Sequence, residues 1–158
     1  MHIPKAYYDN HDSTDGTDYA LITVAEDLSQ YTQTRFSLGL VKNPYSSSFS
    51  QANIYVSGIP AMVNNQNNDD DKIAKGLGYI YSNNTPSPDS MLYYTTDETN
   101  GDSGAPIYVI TKYNIGSGYV SDYTAIGIVK GSSYTRNIGA RITPMLQHFY
   151  LSNPHTNY

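Results

Sequence analysis

The chain has 158 residues, enough for one core, since a domain of this size buries roughly 70% of its unfolded surface. Its formal charge is −5 with only 15% charged residues; there is no basic cluster of the kind that grips nucleic acid and no apolar run long enough to span a bilayer. Cysteine is absent, which excludes disulfides and leaves the redox compartment open.

The 17 tyrosines, with threonine, valine and isoleucine, favour pleated, half-buried surfaces. Short apolar runs punctuated by Gly, Pro, Asn and Ser predict strands at 19–24, 35–41, 53–57, 73–82, 91–95, 105–110, 124–130 and 137–143. Lys112 to Tyr123, with Gly116-Ser117-Gly118 inside, reads as a hairpin-type connection, and only 143–151 reads as helix. The pattern is that of an all-β barrel or sandwich. Asn64 to Asp71 offers oxygens to a hard cation, but it lacks alternating ligands around a glycine turn. It reads as a surface loop, and no metal or other cofactor is expected.

One stretch carries chemistry. Asn100-Gly101-Asp102-Ser103-Gly104-Ala105-Pro106 sets a serine on a glycine-flanked turn before the strand-like Ile107-Tyr108-Val109-Ile110. A serine hydroxyl becomes a nucleophile only when it is exposed, aimed and given a base. Main-chain N–H groups converging beside it would stabilise a developing oxyanion. Taken alone, the stretch is equally an ordinary glycine-rich turn. Asp18-Tyr19-Ala20-Leu21-Ile22 supplies a carboxylate at the start of an apolar run; taken alone, Asp18 is a turn or strand-start residue.

Together these motifs resemble the chymotrypsin-like serine proteases, particularly the bacterial glutamyl endopeptidase branch. The resemblance implies that Ser103 is the nucleophile, that Asp18 is the triad aspartate, and that the N–H groups of Gly101 and Ser103 form the oxyanion hole. Ala105 departs from the glycine of animal members. Weaker similarities extend from about residue 3 to 151: Asn53 to Pro60, Gly76 to Ile80, Met91 to Asp97, Ala125 to Gly131, Asn137 to Thr143, and a closing helix from Pro144 to Leu151.

The implied fold is all-β: a complete C-terminal Greek-key barrel and the tail of an N-terminal barrel, with a short C-terminal helix. Residues 1–42 would be the barrel-one remnant carrying Asp18, and 43–158 the second barrel carrying the nucleophile, oxyanion hole and specificity pocket. A remnant with unpaired edges is expected to be mobile or to pair with another chain. Asp97, Glu98, Val129 and Gly131 fall at pocket positions. Asp97 alone does not settle specificity; an acidic Glu98 beside an apolar Val129 argues for basic or large side chains. The aspartate equivalent to Asp102 pairs with a cleaved N-terminus in animal members; here an exposed carboxylate, or pairing with Lys130 or Arg141, is the expectation.

The family's histidine segment, of Thr-Ala-(Ala/Gly)-His-Cys type, occurs nowhere in the chain. His2, His11, His148 and His155 sit near termini, in a polar loop or on the closing helix, none in a base-like context. Loss of such a histidine costs on the order of a million-fold in turnover. The expectation is therefore a serine endopeptidase acting on protein or peptide, inactive as an isolated chain and completed by a missing N-terminal half or another chain. Secretion is implied by resemblance only. The competing expectation is a non-catalytic binding module on the same fold. An α/β-hydrolase is disfavoured, because its nucleophile leads into a helix.

Overall fold

The computed structural model describes residues 1–9, 18–22, 36–40, 52–58, 74–80, 91–96, 102–133 and 136–153. Their strands are β1 (Phe36–Leu38), β2 (Asn53–Gly58), β3 (Ala74–Ile80), β4 (Met91–Thr95), β5 (Pro106–Asn114), β6 (Tyr119–Ser133) and β7 (Arg136–Arg141). Two helices, α1 (Lys5–Asp9) and α2 (Pro144–Ser152), complete the described elements.

Strands β2 to β7 close on themselves. Every neighbouring pair in the ring β2-β3-β4-β7-β6-β5 is antiparallel, and β5 returns to pair with β2 through Tyr55↔Tyr108 and Val56↔Ile107. Three hairpin-ordered strands with the fourth beside the first is a Greek-key order. Closure removes the exposed edges that an open sheet of these short strands would present. Ser103 lies just before β5, on the turn that leads into that strand.

The interior is filled by alternate residues of each strand. Ile54, Val56, Ile80, Leu92, Tyr94, Ala105, Ile107, Ile126 and Val129 form one buried cluster. A second cluster lies outside the barrel wall, where Ala125, Ile142 and Leu146 of α2 pack with Tyr19, Leu38 and Ile128. Thr143 caps α2, its hydroxyl accepting from the Leu146 N–H at 3.2 Å. Pro144 stands in the first turn, where its missing N–H costs nothing.

Several expectations need correction. The hairpin-type connection is there, but the strands run on through most of it: Thr111–Asn114 pairs with Tyr119–Asp122, leaving a tight turn closed by Ile115 N–H to Gly118 O at 3.0 Å. The exposed residues of this ribbon, Tyr113, Tyr119 and Val120 among them, lack the one-sided burial that gives a strand its pattern in sequence. The strand expected at 19–24 is a single bridge, Leu21 with His2, with N–H to O distances of 2.8 Å both ways; 23 and 24 lie outside the described residues. α1 was not expected. It is one short turn after Pro4, with Lys5 and Asp9 ion-paired across it, too short for helical periodicity to register.

Described parts of the first 42 residues pack on the barrel. β1 pairs in parallel with β6, Phe36↔Tyr123 to Leu38↔Ala125. Tyr19 meets Phe149 of α2 edge-on at 5.5 Å between centroids. No helix among the described residues is long and apolar enough to cross a membrane.

Candidate active site

Ser103 stands on a four-residue turn from Asp102 to Ala105, closed by Ala105 N–H to Asp102 O at 2.9 Å. The third residue, Gly104, has φ +89°. That is the position where a type II turn requires glycine. Two further hydrogen bonds moor the turn to β6: Gly104 N–H to Val129 O and Val129 N–H to Ala105 O, both 2.8 Å. The serine is exposed while Asp102 and Ala105 on either side are buried, so the side chain is held out from a fixed base.

The amides of this turn divide into two kinds. Those of Gly104 and Ala105 are consumed by the mooring bonds, whereas the Ser103 N–H meets no acceptor among the described residues. It is a donor beside the hydroxyl that a developing anion could use. Gly101, expected to supply the second donor, lies outside the described residues, as do Asp97 and Glu98.

Asp102 is buried at 6% exposure, not exposed as expected. Its carboxyl lies against β2: a methyl placed on Gly58 would overlap the Asp102 Oδ1 and stand 3.2 Å from the Ala105 Cβ. The absent side chain at position 58 thus lets the turn sit down on the barrel end. Val129 is 4% exposed and belongs to the interior cluster; beside Ser103 it contributes its main chain. A Cβ at Gly131 would meet nothing within 4 Å.

The Ser103 Oγ donates to the Lys130 carbonyl at 3.4 Å. No described imidazole approaches it. His2 is tied by its main chain to Leu21, and the exposed His148 places Nδ1 2.6 Å from Ser152 Oγ within α2. His11 and His155 lie outside the described residues. Asp18 is half-buried and forms no side-chain hydrogen bond or ion pair with another described residue. Its neighbour Tyr19 packs in the cluster that includes Ile128 of β6, so the Asp18 segment reaches the outer wall of the strand that moors the serine.

Lys130, weighed from the sequence as a partner for Asp102, meets the nucleophile turn through its carbonyl; that placement follows from strand register, for which a single lysine in an apolar run gives no signal. The run Asn64 to Asp71 also lies outside the described residues. No protein-family model matches this chain, and no curated protein matches it.

Proposed function

We propose that this chain has the chemistry of a serine-type endopeptidase of chymotrypsin-like form, with Ser103 as nucleophile and Asp18 as the carboxylate that would orient an imidazole. One observation carries the reading: an exposed hydroxyl on a glycine-dependent turn, moored by two main-chain bonds to the wall of a closed antiparallel barrel, with its own N–H meeting no acceptor among the described residues. The Greek-key strand order and the packing of the Asp18 segment on β6 also support it.

In this reading Oγ attacks a peptide carbonyl while an imidazole takes its proton. The tetrahedral oxyanion is held by the Ser103 and Gly101 amides, and the C–N bond breaks as the imidazole returns the proton to the leaving amine. Water then hydrolyses the acyl-serine by the same route. The substrate is protein or peptide, in a secreted bacterial setting. The chain by itself is proposed to be nearly inactive, needing an imidazole from a partner segment.

A second reading, a binding module that has given up catalysis, is favoured by one contact. The Ser103 hydroxyl is engaged by a main-chain carbonyl and not by a base. Ester turnover separates the two. With an activated peptide ester, added free imidazole is expected to accelerate acylation of Ser103 at least tenfold, and Ser103→Ala to remove the acceleration. Equal rates for the two proteins across the imidazole series would leave the binding-module reading.

A further inference from the structure

Strand β5 begins just after the nucleophile turn and at its other end runs on past its pairing with β2. That pairing involves Ile107 and Tyr108, and β1 flanks β6 at Tyr123 to Ala125. Thr111–Asn114 and Tyr119–Asp122 pair with each other and with no other described strand. Every residue from 111 to 120 is exposed. Closure guards the edges within the ring, but not those of this ribbon.

The phase of the ladder shows which main-chain groups are free. Ile115 N–H bonds to Gly118 O across the turn. Bonded and non-bonded pairs alternate in an antiparallel ladder, so Tyr113↔Val120 and Thr111↔Asp122 exchange bonds within the ribbon. The N–H and C=O of Lys112 and Asn114 therefore point out of the β5 edge. Tyr113 and Val120, directly opposite, share one face. With Ile115 and Tyr119 they are 45–74% exposed, an apolar surface of the kind that marks an interaction site. The edge lacks the proline and the bulge that elsewhere discourage strand addition.

Open strand edges do not enter hydrocarbon, which disfavours a lipid surface. An added strand satisfies them, and this edge is complementary to itself. Two copies laid antiparallel about a two-fold axis at Tyr113 set Lys112 opposite Asn114 of the second copy. The free groups of both residues are then bonded. Tyr113 meets its own counterpart at a non-bonded position, where side chains approach most closely and an aromatic pair is favourable. No charge directly faces a like charge, and a two-fold pairing closes after two copies. We propose that the β5 edge of the ribbon is a homodimer interface, joining two copies of this chain edge to edge at Tyr113. The interface stands on the ribbon alone and does not depend on chemistry at Ser103.

Sedimentation of the whole chain over a concentration series tests this, with a monomer–dimer equilibrium expected. Tyr113→Lys and Tyr113→Glu each set like charges opposite one another and should each weaken the dimer about tenfold. An equimolar mixture of the two should recover it as a heterodimer, because the facing charges are then unlike. Lys112→Pro removes an outward N–H at a position where an edge accepts proline, and should weaken the dimer similarly. A chain that stays monomeric throughout, a dimer that neither charged variant weakens, or a mixture that recovers nothing overturns the proposal. Should Lys112→Pro fail to fold, the charge-swapped pair decides, since Tyr113 is exposed. A monomer that instead co-sediments with phosphatidylcholine vesicles would assign the ribbon to lipid and also refute it.

Discussion

Gly104 concentrates the cost of holding Ser103 outward. At φ +89° a side chain strains the backbone by about 1–2 kcal/mol, and since a Cβ there meets nothing within 4 Å, no steric clash adds to that. Gly104→Ala is therefore expected to lower unfolding free energy by about 1–2 kcal/mol in denaturant titration and to slow Ser103 acylation. Gly58 gives the opposite case. A methyl there collides with the buried Asp102 carboxyl, and forcing a group into a packed site costs about 1–3 kcal/mol. Gly58→Ala should destabilise by that amount, read from the same titrations, through displacement of the turn. The serine turn was legible in sequence because Gly-Asp-Ser-Gly states its backbone requirement locally. Burial of Asp102 was not, because it depends on a glycine far away in the chain. The contact of the Lys130 carbonyl with Ser103 was illegible for the same reason, being set by a register step between two strands.

At the level of elements, α2 joins the barrel wall to the segment after Asp18. Leu146 is 6% exposed among Ala125, Ile142, Tyr19 and Ile128, and truncating such a leucine costs about 2–4 kcal/mol. Leu146→Ala should show that loss in thermal or denaturant unfolding. It should also shift the Tyr19 and Phe149 ring resonances as their edge-on contact loosens; rings that stay unmoved would mean that Tyr19 is placed independently of α2. The strands at 53–57, 91–95 and 137–143 were readable as short runs rich in aliphatic and aromatic residues, bounded by polar or turn-forming ones. The ribbon at the β5–β6 tip was read as a connection because its exposed residues have no buried side to betray the period. Its pairing is enforced by continuation of the two strands that begin in the barrel wall.

For the molecule as a whole, barrel closure and catalytic competence are separable. The six-strand ring is complete through its own antiparallel pairs, so the chain is expected to unfold cooperatively without any added segment. An imidazole beside Ser103, which the proposed chemistry requires, is not found among the described residues. The eight apolar runs pointed to a barrel or sandwich without choosing between them, and neither the packing of Tyr19 on the wall nor the pairing of β1 with β6 was foreseeable, since neither run signals what it will cover. The central claim is that the hydroxyl at 103 is the most nucleophilic serine of this chain. The direct test is to treat the chain with a fluorophosphonate in the presence of free imidazole and to map the adduct by mass spectrometry. The account predicts modification at Ser103, ahead of every other serine and tyrosine, and slower labelling in Gly104→Ala. Adducts scattered over other hydroxyls, with Ser103 unmodified, would contradict it.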